Sequence, residues 1–504
     1  MGLMAMHIAE GRDFPDFMYG QSYMGSAESY LAAAVFRVSG PSLVALRVPM
    51  VLLFLVFLLT MYVLARRLHG TGVALVSVGL LALGSREVYG YESVTEGAIP
   101  ETLLAGTILL LLGHRLLETA DRGADSARRW LLAGWGLTAT LGLWSTMLVA
   151  PFVLTSGVLV WLAHRRLEGR APRGGGWALT AGLLVGALPW LAHDLTRPFG
   201  DSSLATLADL YVHGGTGLGS GQSTGLVSQV TNTLTISLAY ITGGSAIAHP
   251  RSAPAWPLAF DGGWLPPAAN AITTVWGLAV VLLWAAGLIG TLRTLRDRRP
   301  QAWRPQSYGR LAMLVSAGLA TVAFAASPTA GVAPANNVRY LVGVLVATPA
   351  LIAPLRSLFP PPVRAVTLGL VIITLAFGTV QAFRDASHSP GEAASRQLIR
   401  ALQRNGISHI YGGYMDCDRL TFISREQITC AVLFEGPRDS LTPGFDRYLP
   451  YRAEVAADPK AAYVFRSGDP RNETLARSTC RWQSHWQLLG YEIWQPAEPC
   501  GVTT

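Results

Sequence analysis

Charge is scarce in this 504-residue chain: only 14% of its residues are charged, against about 25% in a soluble domain. The mean hydropathy is +0.35. Several uncharged runs approach or exceed the roughly 18 residues that mark a membrane span. Together these features exclude an ordinary soluble protein and imply a polytopic membrane protein. Cysteine is absent from the first 416 residues and then occurs as Cys417, Cys430, Cys480 and Cys500. There is no CxxC pair, no HExxH, no P-loop and no convincing nucleotide fingerprint. His193 and Asp194 are adjacent rather than four apart, and the histidines show no ligand spacing. A nucleotide-driven pump is therefore disfavoured and no metal site is expected. No internal repeat is evident, which weighs against a secondary transporter without removing it as a rival.

The charge that is present is unevenly placed. Up to Arg384 there are 26 basic and 17 acidic residues, and beyond it 13 and 14. The net charge of +8 thus resides in the membrane half, mostly in short loops. That is an orientation signal rather than a stripe that tracks phosphates, so no nucleic-acid partner is expected.

Ten apolar segments can be read as spans. They are Leu43–Ala65, Gly72–Ser85, Pro100–Leu117, two within Trp130–Ala163, Trp177–Ala192, Ile272–Leu292, Leu311–Ala326, Arg339–Leu355 and Ala365–Phe383. Gly72–Ser85 is marginal in length. Trp130–Ala163 runs 34 residues without a charge. One helix of that length overshoots a roughly 30 Å core, so a break near Ser145–Pro151 is expected. The loops at 66–67, 115–129, 165–173, 293–310 and 356–364 hold 18 Arg and 5 acids, while the alternate segments up to Arg339 hold 6 Arg and 12 acids. If the Arg-rich loops are cytoplasmic, alternation places residues 1–42 and everything beyond Phe383 outside. With residues 1–42 outside and no apolar helix ahead of them, either the first span delivers its N-terminal side outward or, as the preferred expectation, a helix precedes Met1.

The domain organisation follows: an exterior first loop at 1–42, a helical membrane domain at 43–384 with a long exterior loop at 193–271, and a small exterior α/β domain at 385–504. An amphipathic helix is expected around Leu226–Tyr240. In the tail, Glu392–Arg404 has helical periodicity ending at Asn405-Gly406. Ile407–Tyr411 and Ala461–Phe465 read as strands. Four cysteines confined to this domain favour two disulfides and an oxidising compartment, with the pairing open and with free thiols or zinc as competing readings. Asn472-Glu473-Thr474 fits a glycosylation acceptor pattern that is common by chance.

The twelve outside acids of the membrane half fall in three groups. Glu10, Asp13, Asp16 and Glu28 come first; Glu87, Glu92, Glu96 and Glu101 second; Asp194, Asp201, Asp209 and Asp261 third. Loops converging on one face of a bundle can present such acids as a base or as ligands for sugar hydroxyls. For any single acid, a solvated loop charge is the competing reading. Arg339 opens a span on the outer side, where it suits bidentate phosphate binding or, with Tyr340, interfacial anchoring. Arg47 suits a structural role just inside the first span.

Tyr19-Gly20-Gln21-Ser22-Tyr23-Met24-Gly25-Ser26-Ala27-Glu28-Ser29-Tyr30 resembles the first exterior loop of bacterial GT-C membrane glycosyltransferases, relatives of protein O-mannosyltransferases and of the lipid A aminoarabinose transferase. Gly40-Pro41 with Ala45-Leu46-Arg47-Val48-Pro49, Ile99-Pro100-Glu101-Thr102-Leu103 and Arg339-Tyr340-Leu341 resemble successive helix entries of that family. Arg419-Leu420-Thr421-Phe422 and Ala462-Tyr463-Val464-Phe465 are similar to stretches in its exterior tails. The resemblance covers most of the chain, through motifs that are individually weak but correctly ordered.

It implies a mostly α, polytopic membrane fold of about ten spans here, eleven if complete, with a small exterior α/β domain. It further implies inverting transfer of a sugar from a polyprenyl-phosphate donor to an exterior lipid, glycan or protein. An acid of the first loop would act as base and arginines would hold the lipid phosphate. The family's usual first-loop acid would fall upstream of Met1, so a shortened chain could be inactive. Gly25-Ser26 occupy about the place of the aminoarabinose branch's Glu-Lys, so that branch's substrate does not transfer. The expected catalytic residues are Glu28, Asp13 and Glu101, with Glu28 and Glu101 as supports of the site. The expected substrate ligands are Arg339, Tyr340, Gln21, Tyr23 and Glu92. No cofactor beyond the lipid-linked donor is expected; the partners are membrane lipids, that donor and an unidentified acceptor. The expected location is the bacterial cytoplasmic membrane. A catalytically inactive scaffold is the remaining rival.

Overall fold

The computed structural model describes residues 1–88, 97, 99–119, 125–166, 174–212, 225–248, 267–296, 304–388, 391–437 and 440–500. It forms two compact units. One comprises Tyr23–Glu28 and Arg47–Ala386; the other joins Met1–Ser22 and Ser29–Leu46 to Ser387–Thr504.

The first unit is a bundle of helices at the ten anticipated places. Among the described residues eight are long and apolar enough to cross a membrane: Leu43–His69, Ile99–Thr119, Met147–Arg166, Gly175–Thr196, Ala268–Arg296, Pro305–Ala325, Val338–Leu358 and Pro361–Arg384. Thr71–Leu83 is apolar but only 13 residues long, and Asp125–Ser145 begins among charges. The break between the fourth and fifth helices falls at Ser145–Thr146. Thr146 turns extended and its hydroxyl accepts a hydrogen bond from Leu148 N, starting the next helix. The segment 226–242 is helical throughout but not uniformly α. Leu226–Asn232 and Leu238–Thr242 are α-helical, with a π-helical turn at Thr233–Ser237 between them.

Helix is the natural state of these runs, because it satisfies every interior backbone group without water. Their hydroxyls follow the same rule. Ser77, Thr107 and Ser156 donate to the carbonyls of Val73, Leu103 and Phe152, each four residues back. The buried core includes Phe57, Met61, Leu103, Leu109, Phe152, Met313 and Val342. Leu52, Leu55, Leu59, Val366, Leu370 and Ile373 are exposed on helix surfaces, which suits contact with lipid tails rather than water. Helices Asp125–Ser145 and Gly175–Thr196 approach so closely that a Cβ on Gly182 would lie 2.1 Å from the Ala133 carbonyl.

Among the described residues, eight strands can be numbered in chain order, six of them in the tail of the second unit. β1 (Phe17–Met18) and β2 (Gln21–Gly25) form a small ribbon. β3 (His409–Gly412), β4 (Thr429–Glu435), β5 (Leu441–Pro443), β6 (Ala462–Arg466), β7 (Trp482–Leu488) and β8 (Tyr491–Pro496) form one sheet in the order β5-β4-β3-β6-β8-β7. β3 pairs in parallel with β4 and β6, and the remaining pairs are antiparallel. Helices Tyr414–Ile423 and Leu449–Ala457 make the crossovers that parallel pairing demands. The expected helix Glu392–Arg404 is present. The cysteines pair as Cys417–Cys430 and Cys480–Cys500, with Cα separations of 5.0 and 5.4 Å. All four are thereby in disulfides, which removes the zinc and free-thiol readings.

The N-terminal residues belong to this unit by packing. Phe36 stacks on Phe422 at 5.9 Å, and Gly2 abuts the same ring. Arg37 donates to the carbonyls of Ile8 and Ala9 at the C-terminus of helix Gly2–Glu10, where a cation is favoured.

Candidate functional site

The membrane unit has two chemically different ends. At one end Gly309 lies against Leu68 and His114, and Arg67 meets Glu118 at 2.9 Å with Arg115 nearby. Arg310 donates to the Leu68 carbonyl there. At the other end the ring of Phe152 lies against Gly106 and Gly343. Gly25 packs on Trp144 and Ser145 at that same end.

These contacts locate the candidates. Glu101 lies just over a turn before Gly106, and Arg339 about a turn before Gly343, on helices that both begin at this end. Glu28 opens the helix that follows Gly25 and is 1% exposed. Glu28, Glu101 and Arg339 therefore share the end opposite the Arg67–Glu118 cluster. Glu87 joins them beyond the far terminus of Thr71–Leu83, where its carboxylate accepts a 2.7 Å hydrogen bond from Ser245. Arg339 stacks its guanidinium 5.0 Å over the Tyr340 ring and donates to that hydroxyl at 3.2 Å. The planar fork is thus held by an aromatic face, a geometry suited to phosphate. Arg47 is exposed on its helix.

Other candidates fall elsewhere. Asp13 belongs to the α/β unit, where it accepts hydrogen bonds from its neighbour Phe14 N and from the Tyr19 hydroxyl. Gln21 and Tyr23 lie half-buried on β2, Gln21 in the α/β unit and Tyr23 in the membrane unit. Asp194 caps helix Ser203–Val212 by accepting from Ser203 N and Oγ at 2.9 Å, a structural task. Glu92, Glu96 and Asp261 lie outside the described residues. Asn472 is buried, donates to the Arg466 carbonyl and accepts from Trp494, so the Asn-Glu-Thr triplet offers no accessible amide. Among the described residues, no group of three or more His, Cys, Asp or Glu could hold a metal ion.

Sequence reasoning passed over a polar cluster within the α/β unit. His7, 1% exposed, places Nε2 2.8 Å from Glu426 Oε1 and Nδ1 2.9 Å from the Tyr19 hydroxyl. Arg12 and Tyr451 also donate to the Glu426 carboxylate. Burial by itself would raise the Glu426 pKa, but hydrogen bonds from Arg12, Tyr451 and His7 bring it down to about 2. Arg425 and Glu426 both hold positive φ, 53° and 62°, a conformation that costs about 1–2 kcal/mol per non-glycine residue. The only sequence signal was an isolated buried-type histidine in a short apolar helix, 419 residues from its partner.

Residues 27–193 match the sequence profile of the family described as dolichyl-phosphate-mannose-protein mannosyltransferase. That stretch includes Glu28 and Glu101. No curated protein matches the sequence. Similar solved structures include ArnT from Cupriavidus metallidurans, apo and bound to undecaprenyl phosphate. Both are 11% identical, with TM-scores of 0.47 and 0.48, covering 98% and 99% of this chain and 92% and 93% of theirs. The oligosaccharyltransferase of Archaeoglobus fulgidus, in complex with Zn and sulfate, is 12% identical with a TM-score of 0.45, over 98% of this chain and 68% of its own.

Proposed function

We propose that this chain transfers a sugar from a polyprenyl-phosphate donor to an acceptor on the outer face of the bacterial cytoplasmic membrane, with inversion at the anomeric carbon. The observation that carries this reading is the family match across residues 27–193. Three further features support it. Arg339 shares one end of the bundle with Glu28 and Glu101. The two disulfides of the α/β unit suit an oxidising compartment outside the cytoplasm. The Arg-rich loops mark the opposite side as cytoplasmic.

In this reading an exterior carboxylate takes the proton of the acceptor hydroxyl, whose oxygen attacks the anomeric carbon while the carbon–oxygen bond to phosphate breaks. Charge grows on the departing polyprenyl phosphate, and Arg339, braced by Tyr340, stabilises it. Glu28 and Glu101 hold sugar hydroxyls and shape the cavity. Gln21, Tyr23 and Glu92 are secondary substrate contacts. The sugar is activated by lipid phosphate, so a nucleotide site is unnecessary.

The test uses the full chain in liposomes with radiolabelled undecaprenyl-phosphate sugars and native bacterial membranes as acceptor source. Arg339→Ala is expected to lower turnover by about 100-fold or more, the usual cost of removing one charge-stabilising donor. Unchanged turnover would reject the phosphate role of Arg339.

A further inference from the structure

Within the membrane unit, the segment leading into Arg339 is held by two side chains of the helical stretch 226–242. The Ser237 hydroxyl donates to the Pro334 carbonyl at 2.8 Å, and the Asn232 amide donates to the Gly331 carbonyl at 3.4 Å. Gly331 and Pro334 stand eight and five residues before Arg339. We infer that Ser237 and Asn232, brought to one side of their helix by its π-helical turn, form a clamp that holds Arg339 in place for phosphate.

The turn explains how two residues five apart can reach one segment. In an α-helix, positions i and i+5 point roughly 140° apart around the axis. A π turn closes i→i+5 hydrogen bonds and sets such positions nearly one above the other. The π turn at Thr233–Ser237 follows directly on Asn232, and the Ser237 hydroxyl lies 3.5 Å from the Asn232 carbonyl. Were the stretch α-helical throughout, only one of the two side chains would face residues 331–334. Gly277 accommodates the turn, because its missing side chain leaves room for the Leu234 carbonyl. Ser237 is fully buried, so its bond to Pro334 is made out of reach of water.

The clamp meets a need created by the helix that carries Arg339. That residue is the second of a 3₁₀ helix, Val338–Ala347, ten residues long. Such helices rarely run past three or four residues, so this one needs outside support. Each residue rises about 2.0 Å in a 3₁₀ helix and about 1.5 Å in an α-helix. Relaxation to α would draw Arg339 about 4 Å towards Ala347 and turn it about the axis. The segment that opposes this is braced step by step. Asn337 N donates to the Ala333 carbonyl and Tyr340 N to the Asn337 carbonyl, both at 3.1 Å, so a hold at Pro334 reaches Arg339. Leu238 and Ile241 share a buried core with Val338, Leu341 and Val342, which keeps the two helices side by side. Ser237 and Asn232 are therefore positioning residues. They act through Arg339, where a misplacement of about 1 Å can cost roughly 100-fold.

The inference rests on the reading of Arg339 as a phosphate ligand. Binding of undecaprenyl phosphate to the full chain in lipid nanodiscs, followed by phosphorus NMR, tests it without turnover. Ser237→Ala is expected to weaken binding about tenfold, less than loss of the guanidinium itself, because the charge is displaced and not removed. Asn232→Ala, at a half-buried position, should weaken it about threefold through its longer bond. In an Arg339→Ala background neither substitution should have a further effect. Equal weakening in both backgrounds, or wild-type affinity in both single variants, would overturn the clamp. Should Ser237→Ala fail to fold, Asn232→Ala carries the same test. In the turnover assay above, Ser237→Ala should lower kcat about tenfold with donor KM within about twofold, because the charge on phosphate is completed only as the bond breaks. Coupled binding without any sugar transfer would leave the clamp standing and sink the glycosyl-transfer reading. Sugar transfer with uncoupled binding would do the reverse.

Discussion

The two units solve the same problem, burying polar atoms, in opposite ways. In the membrane unit most hydroxyls return to their own helix, as Thr107 does to Leu103. The partner is then three or four residues away, whatever the rest of the fold does. In the α/β unit the key polar atoms reach partners 50 to 419 residues away. Glu426 is held by His7 and Arg12, and Asp416 by Arg466 and Tyr491. Local satisfaction suits a lipid-facing helix, because each segment must be stable in an apolar medium before it meets its neighbours. Long-range satisfaction suits a domain assembled from both ends of the sequence, because it rewards only the correct assembly.

That contrast can be broken experimentally. The largest effect should come from the Cys417–Cys430 link. Replacing both cysteines with serine frees a loop whose closure is worth about 3 kcal/mol. Urea unfolding followed by near-ultraviolet dichroism should show the α/β unit weakened and the membrane unit unchanged. Next comes Gly182→Ala, which places a methyl against the Ala133 carbonyl and should cost the membrane unit about 2 kcal/mol, measured by thermal unfolding in detergent.

Glu426→Gln should cost about 1.5 kcal/mol, the worth of a hydrogen-bonded charged group. It also carries a pH signature. The carboxylate is held at about 2, below its ordinary 4.5. Its contribution should therefore be complete above about pH 4.5 and disappear as the pH falls through about 2, with the variant showing no such acid-dependent loss. The smallest effect should be Thr107→Ala, about 0.5 kcal/mol, because an intrahelical hydroxyl leaves behind a carbonyl already bonded in the helix. A larger loss there would erase the distinction between local and long-range satisfaction.

The membrane unit was largely legible in the sequence. Each span was readable because helix formation in an apolar run depends on the run itself. The break at Ser145–Pro151 followed from length alone, and Thr146 supplies it. The helix at 226–242 was legible as well, but not its π-helical turn, which depends on packing against Gly277, where a Cβ would meet the Leu234 carbonyl at 2.0 Å. The cysteines announced disulfides through their number and confinement, yet three pairings remained equal. Strand order decided among them, by bringing β4 beside helix Tyr414–Ile423.

The candidate site was legible in part. Outside acids and Arg339 could be named from loop alternation, and Glu28, Glu101 and Arg339 do share one end of the bundle. Their grouping comes from Phe152 meeting both Gly106 and Gly343, a contact that no local pattern reports. Asp194 illustrates the converse, since an acid in the right loop is engaged as a helix cap.

What the sequence determined by itself was whatever depends on neighbours a few residues apart: helices, their ends and the charge asymmetry of the loops. Only the tertiary structure decided that the first 22 residues pack with the last 118, and that His7 lies between Glu426 and Tyr19. The physical reason is range. Hydrophobic periodicity and capping act over a turn or two, whereas a hydrogen bond between His7 and Glu426 across 419 residues exists only after the chain has closed on itself.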